Sequence, residues 1–132
     1  MTISFDKLFG MQPQILQMRG KRSELLASNM ANADTPGYKA KDIDFKTALK
    51  SAQSGMTPVH LDTTQTNHIG AIDHVGQGHV KYRNPTQASI DGNTVENQIE
   101  QAKYAENALR YQASLRFMGG KITGIMTALK GD

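Results

Sequence analysis

The chain has 132 residues, 38% of them hydrophobic, with a mean hydropathy of −0.50; this suits one domain at most and favours a seam between helices over a thick core. A net charge of only +3, with no dense Lys/Arg run interleaved with aromatics, argues against nucleic-acid binding. The absence of cysteine excludes disulfide frameworks, thiolate metal sites and cysteine nucleophiles.

Residues 1–33 read as an N-terminal helix. Leu8, Met11, Ile15, Met18 and Leu25 recur at steps of three and four, Arg22 takes one slot, and the continued series lands on Asn29 and Asn32. The stripe is apolar early and polar late. Pro13 fits the first turn or a kink after a short leading helix. Gly20 weakens the middle by about 1 kcal/mol relative to Ala. Arg19, Lys21 and Arg22 form the one tight basic cluster and read as a solvated helix face. The opening MTISFDKLFG has neither the basic start nor the apolar middle of a signal peptide, and no apolar run approaches the roughly 20 residues of a membrane span. The expectation is a chain that stays in the cytoplasm or leaves by a route that cleaves nothing.

Residues 34–92 form the middle. Thr35 precedes proline and is pushed toward extended geometry, and Pro36-Gly37 is the expected central pair of a type II turn. The chain then predicts a short extended piece around Ile43 and a short helix, from Phe45, Ala48, Leu49 and Ala52, that Asp44 can cap. From Ser54 the composition turns to Gly, Thr, Asn, Gln and Asp, and a short strand around Val80 and Tyr82 is the one regular element expected. All four histidines lie here. His60, His68, His74 and His79 sit near Asp62 and Asp73, but their spacings match no zinc pattern, so they read as polar loop residues and no metal or cofactor is expected.

Residues 93–132 carry the strongest periodicity. Tyr104, Ala108, Tyr111, Leu115, Met118, Ile122, Ile125 and Leu129 alternate in steps of four and three and predict a helix from about Thr94 to Leu129. Asn93 and Glu96 have capping-box spacing. Gly119, Gly120 and Gly124 inside the helix suit either flexibility or close approach of another backbone.

The fold expected is mainly α: long N- and C-terminal helices paired as an antiparallel coiled coil, with a short loop- and β-rich middle. Leu26, Met30, Leu109, Phe117 and Met126 lie off the stripes and suit burial against other subunits, so the chain reads as one that folds fully only in an assembly. Asn29 and Asn32 would fix the register of the seam. Without a GxSxG, Walker A or dinucleotide fingerprint, no catalytic residue or small-molecule substrate is assigned. Ser23-Glu24 and Asp42-Asp44 have nothing to place a substrate beside them. The residues point to a structural protein rather than an enzyme.

The stretch LASNMANADTPGYKAKDIDF resembles the N-terminal motif of flagellar axial proteins, an Ala-Asn-x-x-Asn-x-x-Thr-Pro-Gly-Tyr core met here within Ala27 to Tyr38, with Ser28 as a mild variation on it. With DGNTVENQIEQAKYAENALRYQASLRFMGGKITGIMTALKG and the short length, the resemblance narrows to flagellar basal-body rod proteins, closest to the proximal rod, and runs nearly full length. It implies an inner coiled-coil layer around a central channel and helical self-assembly with other rod proteins into a torque-transmitting shaft. It also implies contact with the export gate, its adaptor and the inner-membrane ring, and passage through the type III export gate without cleavage. Carried onto this sequence, Asn29, Asn32, Thr35, Pro36, Gly37 and Tyr38 would form the turn and nearby subunit contacts. Leu8, Met11, Ile15, Met18 and Leu25, with Tyr111, Leu115, Met118, Ile122, Ile125 and Leu129, would pack the inner helices. The alternatives are another short rod subunit, a cytoplasmic helical export chaperone, which would have no reason to carry the TPGY turn, and a peptidoglycan-cleaving enzyme, which would need paired carboxylates in a cleft.

Overall fold

The structure, a computed structural model, describes residues 9–53 and 79–131. Along these residues run α1 (Gln12–Ala31), β1 (Lys41–Ile43), α2 (Phe45–Gln53), β2 (Val80–Tyr82) and α3 (Asn97–Lys130). Leu8, His60, His68 and His74 lie outside the described residues.

The chain is mainly helical, and its two long helices pack together as an antiparallel hairpin. Asn29, late in α1, meets Glu100, early in α3, whereas Arg19 and Ser23 meet Asn107 further along. At 1.5 Å per residue α3 is about 50 Å long and α1 about 30 Å, so α3 overhangs the start of α1. Pro13 sits in the first turn of α1, where its missing N–H costs nothing. Gly131 ends α3 in the left-handed conformation, with φ 75°, its N–H bonded to Thr127 O.

The expected extended piece and the Val80–Tyr82 strand find each other as an antiparallel pair with Lys41 opposite Tyr82, Asp42 opposite Lys81 and Ile43 opposite Val80. Asp44 caps α2 as expected, accepting from Thr47 N–H at 3.2 Å and Thr47 Oγ1 at 2.8 Å. Ala40, Ile43 and Ala48 are buried with Met18 and Leu26 of α1.

Two local expectations fail. The capping box does not form: α3 starts at Asn97 and the side chain of its N-cap Glu96 makes no capping bond. The Glu96 carboxylate instead accepts from Thr86 Oγ1 at 2.7 Å, while Asn93 is recruited elsewhere. The basic cluster is not a solvated face. Lys21 pairs with Glu24 at the surface, but Arg22 turns inward to a carboxylate, and the guanidinium groups of Arg19 and Arg22 lie 5.3 and 5.5 Å from the Phe45 ring centre.

Candidate functional site

The Thr35–Tyr38 turn closes as type II. Tyr38 N–H bonds Thr35 O at 3.3 Å, and Gly37 takes φ 71°, a value that only glycine adopts without strain. A second turn backs it: Gly92 N–H bonds Ser89 O at 3.2 Å, and Gly37 N–H crosses to Asp91 O at 2.9 Å. A Cβ on Gly92 would lie 3.9 Å from Gly37 Cα, so the two turns touch backbone to backbone. Asn93 fastens them. Its amide nitrogen donates to the carbonyls of Asn32, Ala33 and Thr35 at 2.7–3.1 Å, and its Oδ1 accepts from Val95 N–H at 2.8 Å. Thr94 adds a rung, donating N–H to Tyr38 O and accepting Ala40 N–H at 2.7 Å.

Next to the turns lies a buried polar joint. The Asn29 side chain pairs with the Lys41 peptide as another peptide would, Nδ2 to Lys41 O at 2.8 Å and Lys41 N–H to Oδ1 at 3.0 Å, and it also donates to Glu100 Oε2 at 3.0 Å. Arg22 holds Asp42 with two parallel bonds of 2.8 and 2.9 Å. Arg83 bridges Asp42 and the fully buried Glu100. Two arginines and two carboxylates thus balance in charge and join α1, β1, α3 and the end of β2. Burial pushes the Asp42 carboxyl up, but the Arg22 hydrogen bonds and charge, Ile43 N–H and Arg83 outweigh it and hold it below the usual carboxylate range. The Asp42 hydrogen bond likewise raises Arg22 against burial. Further along the seam, Asn107 donates to Arg19 O and Ser23 Oγ, and Ser114 to Arg110 O.

Residues 17–39, which hold Arg22, Asn29 and the TPGY turn, match the family described as flagella basal body rod protein. Over its full length the chain is 49% identical to flagellar basal body rod protein FlgB of Aeromonas hydrophila, covering 100% of this chain and 99% of that one. It is 46% identical to FlgB of Cereibacter sphaeroides strain ATCC 17029, with 97% and 98% covered, and 41% identical to FlgB of Escherichia coli strain K12, with 98% of each covered. The chain belongs to the FlgB family of flagellar basal-body rod proteins. For a rod protein, the surfaces left open matter as much as the joint.

Of the expected motif residues, Asn29 is buried, Asn32 and Tyr38 are half-buried, and Thr35, Pro36 and Gly37 are exposed. Asn32 acts locally, donating to Ser28 O and accepting from Thr35 Oγ1. Of the expected packing residues, Met18 is buried, and Met11, Ile15, Leu25, Tyr111, Met118 and Ile125 are half-buried. Leu115, Ile122 and Leu129 are exposed, as are Leu109, Phe117 and Met126. Leu26, read as a residue for other subunits, is instead wholly buried within the chain. The buried residues of α3 are polar, Glu100, Asn107 and Ser114 at steps of seven, with Tyr111, Met118 and Ile125 half-buried between and beyond them. The sequence reading missed Arg83, Glu100, Asn93 as a staple, Asn107 and Ser114. The step of seven was the available signal, together with Arg22 in an apolar slot. His79 contributes its carbonyl, which accepts Asp44 N–H.

Proposed function

We propose that this chain is a structural subunit of the proximal rod, and that the apolar face of α3 is where neighbouring rod subunits pack. The observation that carries the reading is the mismatch between burial and apolarity. The buried residues of α3 are polar, whereas Leu109, Leu115, Phe117, Ile122, Met126 and Leu129 stay in water. A lone chain exposing this row leaves unused a large apolar contribution that association recovers. The TPGY turn and Asn29 set the hairpin geometry, and with it the direction in which that row points.

In this reading copies of the chain and other rod proteins form a helical array through head-to-tail contacts that do not close on themselves. The export gate with its adaptor, and the inner-membrane ring, lie at the base, and the chain arrives by the type III route. Among the described residues no helix is long and apolar enough to cross a membrane, so the basal-body location is attributed to protein contacts. The test is complementation of a strain lacking its own proximal rod subunit, with the chain then located in purified basal bodies. Recovery of swimming, with the chain at the base of the axial tube, is the expected result. A chain that restores nothing and is absent from basal bodies refutes the reading.

A further inference from the structure

The closed end of the hairpin carries an unusual surface. Ile90 is fully exposed, at 110% of the reference value. An exposed apolar residue on a loose loop would mean little, but this one stands on a firmly held turn. Ser89 Oγ donates to Asp91 Oδ1 or to Asn93 O, both at 2.6 Å, and Asn93 N–H donates to Asp91 Oδ1 at 3.0 Å. Gly37 N–H and Lys39 Nζ bond Asp91 O and Gly92 O from the turn behind. A side chain presented this way loses little freedom when it docks. Asp91, its neighbour in the chain, and Asp34, in the segment that Asn93 staples, are exposed, with Lys39 as the cation on the same pair of turns.

The other end of the molecule has the opposite character. Residues 107–132 contain Arg110, Arg116, Lys121 and Lys130 against the one acidic side chain of Asp132, and Arg110 pairs with Glu106 one turn earlier. Exposed Ile122, Met126 and Leu129 lie among these cations. At Gly119, Gly120 and Gly124 nothing lies within 4 Å of where a Cβ would stand, which leaves an open notch along the helix. A tip of net negative charge with an apolar knob at one end and a cationic helix with open glycines at the other are complementary in charge.

We propose that the double turn is a docking tip for the next rod-family subunit along the long axis, with Ile90 as its knob and a cationic, apolar C-terminal helix end as its socket. The inference rests on the rod-subunit reading, and its test separates the two. In a strain lacking its own proximal rod subunit the unaltered chain must first restore swimming; failure there counts against the rod reading. With swimming restored, Ile90→Lys is expected to lower the swimming fraction roughly tenfold or more. The purified variant should melt as the parent does, because Ile90 is wholly exposed. Should the lysine disturb melting, Ile90→Ser replaces it in the same comparison. Because the chain has no cysteine, Ile90→Cys provides a unique thiol. A maleimide–succinimidyl ester cross-linker applied to basal bodies carrying this variant should join it to a lysine in the C-terminal helix of a neighbouring rod-family subunit. Normal swimming of both Ile90 variants, or conjugation only to lysines elsewhere or to none, overturns the proposal.

Discussion

Asn29 shows how one amide can hold three elements. Its oxygen and nitrogen replace a β-bridge partner for Lys41, and the remaining N–H reaches Glu100, so nothing on the side chain is spare. Truncation strands buried groups that water cannot reach. Asn29→Ala is expected to destabilise the chain by about 2–3 kcal/mol, more than a hydrogen bond is worth when both partners are removed together. Urea denaturation of the purified chain checks this, and a loss within error of zero would show that Lys41 and Glu100 find other partners. Gly37 is a different case. Nothing lies within 4 Å of a prospective Cβ, so steric contact costs nothing and only the backbone at φ 71° resists. Gly37→Ala should cost about 1–2 kcal/mol. Gly37→Asn should cost less, since asparagine tolerates the left-handed region. Equal losses for the two would point to a role for Gly37 outside its dihedral angle. The rigid turn and the buried amide were both visible in the sequence, but their partners were not. Glu100 and Lys41 are 71 and 12 residues from Asn29, and no local spacing encodes such distances.

Among the elements, the joint of Arg22, Asp42, Arg83 and Glu100 decides how the hairpin is registered against the small sheet. Arg83 follows β2 and belongs to the middle of the chain, yet it neutralises a carboxylate buried on α3. Arg83→Met would leave Glu100 charged and unpaired in the seam, at an expected cost of about 3–5 kcal/mol. The double change Arg83→Met with Glu100→Met should recover part of that loss, because no lone charge remains, and a double-mutant cycle by urea melting measures the coupling. The joint also gives stability a pH dependence of known sign. The folded pKa of Asp42 is depressed, so the stabilisation it brings is present above its unfolded pKa of about 3.9 and is lost as pH falls through the folded value. Helicity followed through an acid titration should therefore collapse at a higher pH in Arg22→Gln than in the parent. The helices, the two short extended segments and the Asp44 cap were legible because each rests on local periodicity or spacing, whereas the pairing of those segments was not. The start of α3 and the basic cluster were misread for one reason. Asn93 and Arg22 had credible local uses, but tertiary partners stabilised them more: three backbone carbonyls for the first, the Asp42 carboxylate for the second.

At the scale of the whole molecule the chain separates two tasks that a globular domain would merge. The inner seam of the hairpin uses a few apolar residues and many polar ones, which specify register at some expense of stability. In the rod-subunit reading, the exposed apolar residues of α3 are the ones held for neighbours. A pair of substitutions tests this division, because folding and assembly should fail independently. Leu26 is wholly buried, so Leu26→Ala should cost the isolated chain about 2–5 kcal/mol. Leu115 and Ile122 are 44% and 42% exposed in the single chain. Glutamate at either of them should change the isolated chain's stability by no more than about 0.5 kcal/mol, as at other surface positions. In the assembled rod the same glutamate would be an unpaired charge in an apolar contact, which is costly unless compensated. Leu115→Glu and Ile122→Glu are thus expected to abolish swimming and rod growth while secretion of the chain continues. Motility agar, electron microscopy of basal bodies and immunoblots of the secreted fraction read the three outcomes. If either variant swims normally, the face that binds neighbours lies elsewhere on α3. If either melts far below the parent, the stripe belongs to the fold of the single chain and the division of tasks is wrong.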